Sequence, residues 1–328
     1  MKEQDIRNRE KHNKYLELVT LDLAKIFSDR SIFIVINCPA CKSKNYSLQF
    51  NKSGFTYVQC NDCDTLFVNP RPSLDNLMKF YKDSQATKFW IDEFFKPMAD
   101  SRREKIFRPR AKYITSIFPR RKGIKIADIG SGFGIFIEEL KYLWPDVDIT
   151  VIEPSADMAN ICRWKDLKVI ESMLENINSG YNKFDLLTAF ELLEHVQEPF
   201  AFIQKMFDLL NPGGYIFMTM LNGLGFDIQL FWEMSKSVFP PHHLNFFNPS
   251  SIAVLLKRLN FEIIEISTPG ELDWDIVESG YLNDNLDLGR FFKTVTKYGT
   301  DESKAELQSW IKKHNFSSHM RVIARRPS

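Results

Sequence analysis

Residues 125–134, Lys-Ile-Ala-Asp-Ile-Gly-Ser-Gly-Phe-Gly, constrain this chain more than any other stretch. They begin as a short apolar strand, break into glycines and resume as an amphipathic helix through Ile135, Phe136, Ile137, Leu140 and Leu143. Strand, glycine turn and helix open a nucleotide-binding βαβ unit. Gly130, Gly132 and Gly134 permit backbone angles and a close approach that a Cβ forbids. The spacing is Gly-x-Gly-x-Gly, not the Gly-x-Gly-x-x-Gly of dinucleotide folds, and Asp128 sits inside the strand end.

The second strand narrows the reading. Asp148-Ile-Thr-Val-Ile152 ends in Glu153, nineteen residues after Gly134. A carboxylate there can accept both ribose hydroxyls of an adenosine. With Asp-Ile-Gly-Ser-Gly-Phe-Gly followed by Val-Ile-Glu-Pro-Ser, residues 125–261 resemble class I S-adenosylmethionine-dependent methyltransferases. The resemblance implies an α/β fold with a doubly wound, Rossmann-like sheet of seven strands. Six strands are expected at 125–129, 148–152, 167–170, 184–189, 214–220 and 261–267, with helices at 133–144, 155–162, 198–210 and 249–260. Asn211-Pro-Gly-Gly214 reads as the break before the fifth strand. The family resemblance places a last strand, 318–325, antiparallel beside the fifth.

A length of 328 residues suggests about two domains. Residues 1–95 read as an N-terminal helix, a zinc ribbon and a linker helix. Residues 96–328 read as the methyltransferase domain, with insertions at 221–247 and 268–316. The net charge of +1 argues against a protein built around nucleic acid. The charged N-terminus lacks the apolar core of a signal peptide, and no run approaches the roughly 18 apolar residues of a membrane span. A cytoplasmic protein is expected.

Four of the five cysteines form two pairs, Cys38-Pro-Ala-Cys41 and Cys60-Asn-Asp-Cys63. In a reducing compartment such knuckles hold a metal rather than disulfides. Four thiolates give the tetrahedral site zinc prefers and leave no open position, so the ion is expected to be structural. Tyr46–Phe50 and Phe55–Gln59 alternate like hairpin strands around an Asn51–Gly54 turn. Tyr15, Leu16, Val19, Leu23, Ile26 and Phe27 share one face of a preceding helix. That face packs on the body or, alternatively, forms a homodimer contact. The ribbon is followed by Asn69-Pro-Arg-Pro-Ser73, the start of a helix capped at Ser73. This pair of features resembles a methyltransferase group of sugar and surface-polysaccharide pathways, which implies a sugar-type acceptor. Residues 102–125 carry ten Lys/Arg against one acid, Glu104. They read as a solvated helix face or as an electropositive wall for a phosphorylated substrate.

On the methyltransferase resemblance, Gly130, Ser131, Gly132 and Gly134 approach the cofactor through backbone and Asp128 orients the loop. Glu153, followed by Pro154, takes the ribose. Met173 and Leu174 flank the adenine or are ordinary core, and Phe190 lies along the cofactor. Phe190-Glu-Leu-Leu-Glu-His195 resembles the Glu-x-x-Glu-His stretch of small-molecule O-methyltransferases, including those of ubiquinone biosynthesis. It implies metal or substrate binding by Glu191, Glu194 and His195, against a packing role for His195. Pro240-Pro-His-His-Leu-Asn-Phe-Phe-Asn-Pro-Ser-Ser251 resembles a segment of the same family and of sugar C-methyltransferases. There His243 would be the base and His242 its neighbour, unless both only hold the insertion. Phe226, Phe231, Trp232 and Phe239 would stack on an acceptor or form the insertion's own core. The leading expectation is methyl transfer to a sugar hydroxyl. Sugar C-methylation, RNA methylation with the ribbon as reader, and a non-catalytic cofactor fold are the alternatives.

Overall fold

The computed structural model describes residues 2–5, 8–118, 122–178, 180 and 183–328. Helix α1 (Arg9–Ile26) starts at Asn8, whose side chain accepts from the Lys11 N–H at 3.0 Å. Its apolar face, Tyr15, Val19 and Leu23, shares one core with Phe55, Tyr57, Leu77, Phe80 and Phe246. The helix therefore packs on the body of this chain.

Strands β1 (Tyr46–Lys52), β2 (Phe55–Cys60) and β3 (Leu66–Val68) form the ribbon. Ser53 and Gly54 turn the first hairpin with φ of 49° and 78°, the left-handed pair that suits strand twist. Helix α2 (Leu74–Asp83) begins at Ser73, whose hydroxyl accepts from the Asn76 N–H at 3.3 Å. Then come α3 (Gln85–Phe89), a π-helical turn (Trp90–Phe95), α4 (Ala99–Arg102), a second π-helical turn (Arg103–Phe107) and α5 (Arg108–Ile117). This run lies against the glycine loop: the Phe95 ring is 4.9 Å from that of Phe133.

The sheet domain alternates as expected: β4 (Lys125–Ile129), α6 (Ile135–Leu143), β5 (Asp148–Ile152), α7 (Ala156–Trp164), β6 (Lys168–Ile170), β7 (Phe184–Phe190) and α8 (Pro199–Leu209). Strand β8 (Leu210–Leu221) starts four residues earlier than its expected start at 214. The Asn211–Gly214 segment bulges out of the strand: Phe184 pairs Leu210, yet Leu186 already pairs Tyr215. Gly213, at φ 77°, makes the bend. The chain continues through α9 (Phe226–Phe231), β9 (Asn245–Phe246), α10 (Pro249–Arg258) and β10 (Glu262–Ser267). Helices α11 (Asp273–Asp284), α12 (Gly289–Tyr298) and α13 (Asp301–Lys313) fill the second insertion before β11 (His319–Arg325).

The seven strands run in the order β10-β11-β8-β7-β4-β5-β6. All neighbours from β8 to β6 are parallel, and β11 is antiparallel to both β8 and β10. The order reverses between β4 and β7, so their carboxyl ends bound the crevice where open α/β sheets bind ligands.

The ribbon is tied into this domain. Strand β9 pairs antiparallel with β3 and completes a four-stranded sheet, β1-β2-β3-β9. Arg71, fully buried, donates to the carbonyls of Val68 and Gln197 and to Asn245 Oδ1. Asn248 caps α10 and also donates to the Cys63 carbonyl at 3.0 Å. Asn248→Ala is expected to cost about 1–2 kcal/mol, read by urea unfolding, because it removes both a cap and this tie.

Candidate functional site

At the end of β4 the chain turns through Gly130, Gly132 and Gly134 with φ of 69°, 56° and 69°. A Cβ on Gly130 would come within 3.0 Å of the Leu192 side chain, so the loop passes tightly beneath the turn after β7. Asp128, buried at the strand end, pins this loop. Its Oδ1 accepts from Thr188 Oγ1 at 2.6 Å, and its Oδ2 accepts from the Ser131 hydroxyl. Burial pushes the Asp128 carboxyl up to about 6. Glu153, at the end of β5, accepts from the Gly132 N–H and the Ser155 N–H, both at 2.9 Å. The acidic residue and the glycine loop are thus one unit, with Pro154 beside them in the turn to α7. Desolvation raises the Glu153 pKa.

The remaining cofactor-side expectations separate. Phe190 ends β7, with its ring 4.6 Å from Phe136 and the Arg110 guanidinium 4.3 Å from its centroid. Met173 is half-buried just before a short 3-10 turn. Leu174 is 3% exposed and its side chain joins the main core.

The histidines take different positions. His242 is buried among Phe80, Tyr81 and Phe239, and its Nε2 lies 2.9 Å from Tyr15 Oη. Its environment matches packing, and the acid–base role the sequence suggested is not carried forward. Burial drives its pKa down to about 3. That folded value lies below the unfolded one near 6.5, so the unfolded chain takes a proton that folded His242 rejects. Its contribution to stability is present above about pH 6.5 and is lost as pH falls toward 3. By pH 5 the loss from this group is expected to be about 2 kcal/mol. His242→Phe should flatten the acid limb when unfolding is compared at pH 5 and pH 7.

His195 and His243 face one another, ring centroids 4.9 Å apart. His195 is held well below its usual pKa by burial and by its two neighbouring imidazoles. His243 Nδ1 lies 2.6 Å from the Ser237 carbonyl. A carbonyl only accepts, so Nδ1 carries the proton and the ring's basic nitrogen is Nε2.

Glu191 and Glu194 diverge. Glu191 stands on β7's left-handed exit, φ 48°, where its Oε1 meets Thr219 Oγ1 at 2.8 Å, Arg110 at 3.2 Å and His319 at 3.3 Å. Glu194 is buried, its carboxyl pushed well above the ordinary range by desolvation. Among the described residues the one group that gathers metal-ligating atoms is Cys38, Cys41, Cys60 and Cys63. The Glu191, Glu194 and His195 set implied by resemblance does not converge on an ion.

The four cysteine sulfurs lie within 4.8 Å of one another, with Cys38–Cys63 and Cys41–Cys60 each at 3.5 Å. These separations are too long for disulfides and close to the roughly 3.8 Å edge of a tetrahedron with ~2.3 Å zinc–sulfur bonds. The donor set fits a tetrahedral metal ion.

Other expected features resolve differently. Arg103 and Arg108 pair with Glu138 and Glu139, and Arg110 with Glu191, so these cations are matched rather than presented as a wall. Arg120 and Arg121 lie outside the described residues. Phe226 packs on Phe292, Phe231 on Val277 and Leu288, and Trp232 on Phe50. Of the four aromatics expected to line the insertion, Phe239 stands beside His242, with ring centroids 5.3 Å apart. Sequence reading missed Arg110, Thr219 and His319. The expected antiparallel last strand was the signal for His319, since that topology carries the strand's first residue to the carboxyl edge.

A reversed strand order, a triple-glycine turn and an acidic residue after the second strand together define the Rossmann-like methyltransferase class. The chain belongs to the family described as "Methyltransferase domain", whose model matches residues 99–266. Among curated proteins it is similar to the ubiquinone biosynthesis O-methyltransferase of Xanthomonas campestris pv. campestris. They are 26% identical over 158 residues, which is 44% of this chain and 65% of that protein. The protein of that name from Pectobacterium atrosepticum is 27% identical over 164 residues, 47% of this chain and 64% of its own. The chain thus spans just under two thirds of the length of these relatives. A chain from the complex of the Haloferax volcanii Trm112 methyltransferase activator with a methyltransferase shares the fold. Its TM-score is 0.51 at 13% identity, covering 73% of this chain and 96% of that one. Among the described residues no helix is long and apolar enough to cross a membrane.

Proposed function

We propose that the chain transfers a methyl group from S-adenosylmethionine to a hydroxyl of a small polar acceptor, of the sugar type that the ribbon and its Asn-Pro-Arg-Pro-Ser sequel suggest. The observation that carries the cofactor assignment is the Glu153 carboxylate bound to the Gly132 N–H at the sheet's switch point. O-methylation gains support from the names of the curated relatives.

The residues fit this cofactor. Three glycines at left-handed φ turn the backbone tightly at the end of β4, and a Cβ at Gly130 or Gly134 would press on Leu192, Leu167 and Cys162. Two carboxylates, Asp128 and Glu153, stand at the ends of β4 and β5 and suit a cationic ligand. In this reading Gly130, Ser131, Gly132 and Gly134 line the methionyl side, Glu153 serves the ribose hydroxyls and Met173 borders the adenine. Phe190 supplies an apolar face. When bound, the cofactor supplies a methyl group already activated for nucleophilic attack. The protein aligns the acceptor oxygen behind that methyl and accepts its proton. His243, with its basic nitrogen at Nε2, is the base that the sequence nominates.

The cysteine cluster is proposed to hold one structural zinc ion, with no vacant position for chemistry. Metal analysis of purified protein should then give about one zinc per chain; none would remove the assignment. For the reaction, the test is mass spectrometry of nucleotide sugars and other hydroxyl acceptors incubated with methyl-labelled cofactor. A single labelled methyl on a hydroxyl is expected. Label on no acceptor, or on RNA alone, would contradict the reading.

A further inference from the structure

A further imidazole stands at the carboxyl edge of the sheet. His319 begins β11, which runs antiparallel to β8, so it stands at the carboxyl edge opposite Leu221. Its Nδ1 lies 3.3 Å from Glu191 Oε1, and its side chain is 34% exposed. The carboxylate is itself over-determined: Thr219 and Arg110 donate to the same oxygen, and the Glu191 N–H donates to the Thr219 carbonyl at 2.8 Å. Holding a non-glycine residue at φ 48° costs conformational energy, and such strain concentrates at functional positions. Arg110 is in turn seated over Phe190. Asp128 and Glu153 line the β4–β5 side of the same crevice, and the Glu191 group lines the β7–β8–β11 side.

A carboxylate 3.3 Å from Nδ1 favours the tautomer with the proton there and the lone pair on Nε2. The side chain remains about a third exposed at the carboxyl edge of the sheet. Burial holds the His319 pKa below its usual value; of the charged groups around it, Glu191 and Asp273 raise it and Arg110 and Arg321 lower it. His243 is oriented by a neutral carbonyl instead, which does less to stabilise an imidazolium.

We propose that His319, positioned by Glu191, takes the acceptor's proton in place of His243. The inference rests on the methyl-transfer reading. The acceptor oxygen bonds to the methyl carbon as the carbon–sulfur bond breaks, its electron pair staying on sulfur. The hydroxyl proton passes to His319 Nε2, and the imidazolium formed lies against the Glu191 carboxylate. His319 is the catalytic residue and Glu191 a positioning residue.

The test has two readouts on the full chain. Nitrogen-15 NMR of the histidine rings needs no acceptor. It should show neutral His319 protonated at Nδ1, and a shift of that tautomer in Glu191→Gln. Turnover is read as S-adenosylhomocysteine released with the hydroxyl acceptor found in the labelling screen. His319→Gln should lower kcat by roughly 10² with cofactor affinity unchanged, and Glu191→Asp should recover part of what Glu191→Gln loses. A ring protonated at Nε2 overturns the proposal. So does His319→Gln at near-normal turnover while His243→Ala is slow. The expected tautomer with no methylated acceptor would count against the methyl-transfer reading and leave the pairing intact.

Discussion

Cys38→Ser is expected to destabilise the protein by roughly 3–5 kcal/mol, at the large end of single-substitution effects, because it opens the four-thiolate cluster proposed to hold zinc. The ribbon strands are three to seven residues long and bury little apolar surface by themselves. Their order depends on the knuckles that carry Cys38, Cys41, Cys60 and Cys63. The damage should not stop at the ribbon. Strand β3 holds β9, Arg71 reaches the Gln197 carbonyl, and Asn245 donates to the carbonyls of Leu193 and Val196. Those residues form the turn that presents Glu194 and His195. Chelation should therefore loosen the turn after β7 as well as the ribbon. Hydrogen exchange with and without chelator would show it. Protection lost in residues 38–68 and also in 190–197 is the expected pattern. Unchanged exchange in both would mean that the ribbon is held by its apolar residues alone.

Asp128→Ala should lower cofactor affinity by about 10–100-fold, equivalent to roughly 1.4–3 kcal/mol, the range of hydrogen bonds to a charged group. The Asp128 carboxylate fixes Ser131 and Thr188. Removing the carboxylate leaves the two hydroxyls only their longer bonds to the backbone carbonyls of residues 128 and 127, at 3.2 and 3.4 Å, and takes the anchor from the glycine loop. Asp128→Asn keeps one acceptor oxygen and should fall between the two. Calorimetric titration with S-adenosylhomocysteine measures the difference. Wild-type affinity in Asp128→Ala would show that the loop is held by its glycine geometry and Glu153 alone.

What the sequence disclosed and what it hid divide along one physical line. Signals carried by neighbouring residues were legible. The glycine turn, Glu153 at the next strand end and the two cysteine knuckles each lie within one local unit, and each stands where its spacing placed it. Features assembled from distant segments were not. Strand β9 is two residues long, and its partner lies near residue 66, so no periodicity announces it. The cluster around Glu191 draws Arg110 from α5, Thr219 from β8 and His319 from β11. Adjacent histidines, by contrast, overstated themselves. His242 turned inward to Tyr15, as consecutive residues in a tight loop must diverge. Leu174 followed its apolar character into the core.

The central claim is that the crevice between β4 and β7 holds S-adenosylmethionine against the glycine loop and Glu153. Titration of S-adenosylmethionine into the wild-type chain and into Glu153→Ala tests it directly. The account predicts one saturable site per chain, competed by S-adenosylhomocysteine and weakened at least tenfold in Glu153→Ala. No binding to the wild type, or equal binding to both proteins, would contradict it.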